Sequence, residues 1–299
     1  MTCPRSPRFK IAAKPSDKPL IGLDAVWLSF PERLPIATVP AIVGQPVIAA
    51  QPVWERVWNY QPSDEKDDLL LARERQSQRW RLIVDHLQMT FGSLAHLRTI
   101  ELGSGRGDLS LLLAERGAQV TLLDQNRSVL EQARRRFSRL GLPLALEQGD
   151  MFSLDALLRE SFDVALSSGV IEHFRGSVRT EALRVHGNVL RPGGMAIVSV
   201  PQVWCVPYRL WKLYLELRSQ WPYGVEVPYS QRELSRRAGQ AGLVPLTIRG
   251  LEFRRGWEQL RRALWKTPME INVAASRLDS WMGLALVLIA RREGDWQAT

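Results

Sequence analysis

The sequence predicts an α/β fold: a seven-stranded, mainly parallel sheet with helices on both faces. Three features predict it. From Leu97 onward, short apolar runs alternate with helical stretches, the rhythm of strand–helix–strand units in a parallel sheet. The glycine-rich turn Gly103-Ser104-Gly105-Arg106-Gly107 falls between the first strand and the next helix, where a doubly wound sheet opens its ligand crevice. Acidic residues then recur at strand ends, as Glu101, Asp124 and Asp150.

Residues 1–62 read as an irregular N-terminal arm, rich in proline; Pro35, Pro40 and Pro46 break the apolar stretch Leu34–Ala50. A helix is expected to start near Ser63 or Asp64, with Glu65, Asp67 and Asp68 in a first turn whose dipole favours acids. It should reach about Thr90 and bury Leu69, Ala72, Gln76, Trp80, Ile83, Val84 and Leu87 on one face. The predicted strands are Leu97–Leu102, Gln119–Asp124, Pro143–Gln148, Phe162–Ser167, Gly194–Val200, Leu243–Gly250 and Leu284–Arg291. Helices are predicted between most of them, over Leu109–Arg116, Ser128–Leu140, Leu154–Arg159, Val178–Val189 and Ser230–Ala241. The last two strands lack a standard crossover helix, which suits an antiparallel pair. Residues 63–299 thus form one domain. Its sheet does not need residues 201–228 or 251–281, two insertions rich in Trp and Tyr at the end of the sheet where a cleft is built.

Bulk properties narrow the function classes. With 299 residues, 45% of them hydrophobic, the chain can bury one sizeable core and an accessory region. Two cysteines exclude a disulfide framework and a cysteine-rich metal site, and suit the cytoplasm. The longest apolar run, within Met282–Ala290, is far short of the ~20 residues a membrane helix needs. A net charge of +9 suits an anionic partner. The arginines, however, lie among acids along the helices, so a solvated surface is expected and nucleic acid is not an expected partner.

The glycine turn lets the backbone bend tightly and approach a ligand, and the helix after it favours an anionic group. A dinucleotide fingerprint would need glycine at position 108, where Asp108 stands. Asp124 follows Gly103 by 21 residues and is placed to accept both hydroxyls of a ribose. Asp150 can accept from an adenine amino group, with Met151 or Phe152 against the ring.

These residues, with the stretch Ser167-Ser168-Gly169-Val170-Ile171-Glu172-His173 and the turn Leu190-Arg191-Pro192-Gly193-Gly194, resemble the class I S-adenosylmethionine-dependent methyltransferases. Within that family the chain is similar to the ubiquinone- and menaquinone-biosynthesis type and related small-molecule enzymes. The resemblance covers roughly residues 63–250 and the final strand. It implies a Rossmann-like sheet of order 3-2-1-4-5-7-6 with only the seventh strand antiparallel, and S-adenosyl-L-methionine as cofactor. It further implies Glu101 near the methionine amino end, and Gly103, Ser104, Gly105 and Gly107 along the methionine and ribose. Asp124 and Gln125 fall at the ribose, Asp150 and Met151 at the adenine, and Ser168 contacts the cofactor through its backbone.

Methyl transfer from a sulfonium is an in-line displacement, so the protein mainly positions the acceptor and excludes water. A base is needed only if the acceptor must lose a proton. His173, beside Glu172, is the candidate base; the alternative, that the pair caps the following helix, stays open. Quinone O-methyltransferases of the resembled group carry Glu-x-x-Glu-His as a metal-binding motif. Gly169 stands at the first position here, so no metal is expected. His86, His96 and His186 are expected to be structural or surface residues. Tyr208, Arg209 and Trp211 are candidates for a substrate lid. The segment Arg254, Arg255, Trp257, Leu260, Arg261, Arg262, Leu264 and Trp265 can form a basic amphipathic helix, either resting on an anionic membrane surface or packed on the core.

The expected activity is therefore methyl transfer to O, C or N of a small-molecule acceptor. RNA or protein methylation is the alternative enzyme reading, opposed by the lack of an Asn/Asp-Pro-Pro-Tyr-type motif after the fourth strand. A non-catalytic S-adenosylmethionine-binding protein is the other. Nothing in the sequence fixes the oligomeric state.

Overall fold

A computed structural model describes residues 51–58, 62–154, 156–265 and 274–293, together with the paired two-residue strands Leu23–Asp24 and Trp27–Leu28. Most of the predicted arm lies outside the described residues. Its last part does not match the expectation: Gln51–Trp58 is a helix, α1, with Pro52 in its first turn where no amide donor is needed.

The single helix expected from Asp64 to Thr90 is two, α2 (Asp64–Arg75) and α3 (Gln78–Phe91). Ser77 divides them. Its extended backbone lets Oγ accept from the Trp80 amide at 2.9 Å, a new N-cap in mid-run. The break changes the buried face: Leu70 and Leu71 are inside, whereas Leu69 and Gln76 are exposed.

The sheet strands are β1 (Arg98–Leu102), β2 (Gln119–Asp124), β3 (Ala145–Gln148), β4 (Phe162–Ser168), β5 (Leu190–Pro201), β6 (Leu243–Leu251) and β7 (Ala285–Arg292). Their order is β3-β2-β1-β4-β5-β7-β6. Only β7 runs antiparallel to its neighbours, as the sequence suggested. Within β5, Leu190 pairs with Phe162 and pairing resumes at Met195 with Val164, so the Pro-Gly-Gly turn interrupts the ladder.

The crossover helices are α4 (Asp108–Ala114), α5 (Arg127–Arg139), α6 (Val178–Val189) and α8 (Gln231–Gln240). The helix expected over Leu154–Arg159 is instead two 3₁₀ turns, Met151–Ser153 and Ala156–Leu158. The insertions supply α7 (Val206–Leu217), α9 (Phe253–Trp265) and the short α10 (Asp279–Met282). Residues 266–273 lie outside the described residues.

Strand alternation sorts the core into two faces. Val120, Leu122, Val164, Leu166, Ile197 and Ile289 pack with Trp80, Ile83 and Leu112 on one side. Ile100, Leu102, Ala165, Val198 and Leu288 pack with Leu183, Val189 and Leu234 on the other. A third cluster lies off the sheet, joining Trp58 of α1 to Tyr208, Trp211, Tyr223 and Leu260. Among the described residues no helix is long and apolar enough to cross a membrane.

Candidate functional site

The tips of β1, β2 and β4 open onto a cleft of about 550 Å3. Gly103, Asp124, Gln125, Asp150, Met151, Ser168 and His173 line it. These are seven of the residues that the sequence assigned to the site.

The glycine turn is pinned to β2. Ser104 N–H donates to the Leu123 carbonyl at 3.0 Å, and Gly105 N–H donates to Asp124 Oδ2 at 2.9 Å. Gly103, Gly105 and Gly107 have φ of +65°, +53° and +68°, the left-handed region where a side chain strains the chain. Gly105 also has no room: a Cβ there would lie 2.8 Å from the Trp58 ring. Behind the turn, Arg106 pairs with Asp67 of α2, while Arg136 bridges Asp67 and Asp108 and donates to the Arg106 carbonyl at 2.8 Å. Asp67, expected in the first turn of the helix, is buried there and braces the glycine turn.

Asp124 accepts one backbone N–H on each carboxylate oxygen, from Gly105 and from Asn126 at 2.9 Å. Each oxygen keeps a second acceptor site for a ribose hydroxyl. Burial raises its pKa. Asp150 Oδ1 accepts from Phe152 N–H at 3.0 Å, capping the first 3₁₀ turn. Phe152 and Phe174, 5.0 Å apart edge to face, add an aromatic wall.

Glu101 does not reach the cleft wall. It is buried, accepts from Ser110 Oγ at 2.6 Å, and burial pushes its pKa up to about 7. Ser104, Gly105 and Gly107 likewise support the cleft without lining it. The Ser168 hydroxyl is engaged by Arg79 at 2.6 Å, itself paired with Glu74, which leaves its backbone as the part open to a ligand.

At the other end of the cleft, His173 Nδ1 lies 2.9 Å from the Val225 carbonyl. A carbonyl only accepts, so Nδ1 carries the proton and Nε2 holds the lone pair. Nε2 is 4.0 Å from Glu226 Oε1. Burial holds the imidazole pKa down near 4, so this contact is not an ion pair at neutral pH. Glu226 accepts a hydrogen bond from Tyr208, and burial raises its pKa to about 7. Glu172 is fully buried, and among the described residues neither carboxylate oxygen has a hydrogen-bond partner. Burial, then the nearby Glu226, raises its pKa well above the usual range. One donor atom from each of Glu172, His173 and Glu226 lies within 4.8 Å of the others. This donor set forms despite Gly169, because Glu226 comes from a distant segment.

The lid candidates divide by helical period. Tyr208 and Trp211 turn inward, with Trp211 5.2 Å from Trp221, whereas Arg209 is exposed. None of the three lines the cleft. Trp54, Glu55 and Trp58 of α1 line it instead, with Trp54 edge-on to His173 at 4.8 Å. The signal missed was the i, i+4 spacing of Trp54 and Trp58, masked by the prolines before it. Glu226 had no signal at all. Of the other histidines, His186 bonds Ser167 Oγ at 2.9 Å in the core, His86 bonds the Leu82 carbonyl within its own helix, and His96 is exposed.

The sheet order 3-2-1-4-5-7-6, with two aspartates beside Gly103 at the cleft, matches the arrangement expected of an adenosyl-cofactor site. Residues 100–194 match a family model described as a methyltransferase domain. The matched stretch, 95 of the 299 residues running from β1 to the turn within β5, is similar to a methyltransferase domain. It is 30% identical over 146 residues to the ubiquinone biosynthesis O-methyltransferase of Stutzerimonas stutzeri, covering 49% of this chain and 56% of the relative. The enzyme of the same name from Bordetella pertussis is 28% identical over 171 residues, covering 56% and 70%. Among solved structures, magnesium protoporphyrin IX methyltransferase from Synechocystis with bound S-adenosylhomocysteine shares the fold at a TM-score of 0.53 and 15% identity, covering 81% of this chain and 94% of that one. A Burkholderia thailandensis N1-methyltransferase with bound 1,6-didemethyltoxoflavin and S-adenosylhomocysteine does so at 0.50 and 16%, covering 78% and 92%.

Proposed function

We propose that the chain transfers a methyl group from S-adenosylmethionine to an oxygen, carbon or nitrogen of a small-molecule acceptor. The single observation carrying this reading is that Asp124, Asp150 and His173 line one cleft with Gly103 of the glycine turn. The relatives named for O-methylation in ubiquinone biosynthesis favour oxygen. Asp124 holds the ribose, Asp150 and Met151 the adenine, and the Gly103–Gly107 turn the methionine portion.

The sulfonium supplies an already activated methyl group, so His173 and Glu226 handle the proton. An acceptor hydroxyl gives its proton to Nε2 as its oxygen takes the methyl. The ionised Glu226, 4.0 Å away, stabilises the imidazolium that forms. An imidazole with a pKa near 4 is a weak base alone; the carboxylate beside it raises the pair's proton affinity. Glu172 stays protonated and shares the buried charge. No metal step is required on this reading, and a chelator should leave turnover unchanged.

The domain expected over residues 63–299 works together with α1, whose Trp54 and Trp58 line the cleft. The chain's two cysteines, with Cys205 buried as a thiol, suit the cytoplasm. Incubation with radiolabelled methyl donor and fractionated extract tests the activity. Label should enter the small-molecule fraction and be lost on Asp124→Ala. Label in RNA or protein would replace the acceptor class, and cofactor binding without transfer would replace the enzyme.

A further inference from the structure

α7 inverts the usual arrangement of a surface helix. Tyr208 and Trp211 fill its inner face, while Val206, Leu210, Leu213 and Leu217, spaced i, i+4, i+7 and i+11, face solvent at 50%, 49%, 50% and 79% exposure. A soluble helix normally turns such a stripe inward. Three exposed tryptophans border it. Trp204 precedes the helix. Trp257 lies on α9, which crosses α7 so closely that a Cβ on Gly256 would be 3.1 Å from Cys205 Sγ. The carbonyl of Trp281 accepts from Gln202 Nε2 at 2.8 Å, near the start of α7.

The charge beside this apolar face is basic. Arg209 is exposed within the stripe and Arg254 is exposed on α9; the acid on the outer side of α7, Glu216, is paired with Lys212. α9, which the sequence left open to a membrane surface or to the core, buries Arg255 and Leu260 and keeps Trp257, Leu264 and Trp265 exposed. Among the described residues, the longer exposed apolar stripe belongs to α7.

We propose that α7 and the tryptophans around it form a docking face for an anionic lipid bilayer. Leucines enter the acyl boundary, the tryptophans sit at headgroup depth, and the arginines meet lipid phosphates. A second copy of the chain fits less well, because a two-fold contact would set Arg209 and Arg254 near their own like charges. The inference stands independently of the proposed reaction. It places the bilayer on the helix whose inner face holds Glu226 through Tyr208.

The test is co-sedimentation of the full chain with phosphatidylcholine vesicles, with and without phosphatidylglycerol. Binding should be at least tenfold stronger to the anionic vesicles. The double variant Leu210→Ser/Leu213→Ser should bind them at least tenfold more weakly, with S-adenosylhomocysteine affinity unchanged as the sign of an intact fold. Because that variant keeps the net charge, equal binding by it would reduce the effect to general basicity and overturn the proposal. Lack of preference for anionic vesicles would also overturn it. So would a dimer that the variant dissociates without any vesicle binding, which would give the face to a second copy.

Discussion

The end of the cleft proposed for adenosine draws its groups from positions adjacent to strand tips: the Gly103–Gly107 turn after β1, Asp124 at the end of β2, and Asp150 just after β3. The end proposed for the acceptor draws Glu172 and His173 from the 3₁₀ turn after β4, Glu226 from the segment beyond α7, and Trp54 from α1. The first is fixed by local backbone geometry and by hydrogen bonds across two neighbouring strands. The second exists only when three remote segments meet and exclude water. One end can therefore hold a constant cofactor while the other varies with the acceptor.

Separate disruption of the two ends gives the largest expected effect. His173→Ala should lower turnover by about 100-fold while S-adenosylhomocysteine affinity, read by calorimetry, changes less than about threefold. A parallel loss in both would mean that the two ends act as one unit. At the adenosine end, Gly105→Val must adopt a left-handed φ and displace the Trp58 ring. It should weaken S-adenosylhomocysteine by at least about tenfold, as should Asp124→Ala, which removes the carboxylate that Gly105 and Asn126 orient.

A pH test of the fold sharpens the contrast at Glu226. Its native pKa of about 7 lies above the ordinary 4.5, so its contribution to stability is complete below about 4.5 and is lost as pH rises through about 7. In urea titrations, Glu226→Gln should gain on the native chain by on the order of 2 kcal/mol between pH 5 and pH 8. A constant difference would show that Glu226 is already ionised in the native cluster.

The legible part of the site follows the same division. Glycines that must take positive φ and acids that end strands leave their signature in consecutive residues, so the turn and the aspartates beside the cleft could be named from the sequence. Tyr208 and Trp211 could be recognised as important, yet not as inward-facing, since their direction depends on where α7 settles against Trp221 and Tyr223. Trp54 and Trp58 were lost within a proline-rich segment, and Glu226 resembles any loop glutamate.

The residues alone established the sheet, its order through the family resemblance, and the glycine turn with its strand-end aspartates, because these depend on short-range backbone preference and strand periodicity. The tertiary structure alone decided that α1 covers the cleft, that Glu226 joins Glu172 and His173, and that α7 turns its leucines outward. Those outcomes depend on which distant surfaces pack together, and local residue pattern carries no record of that.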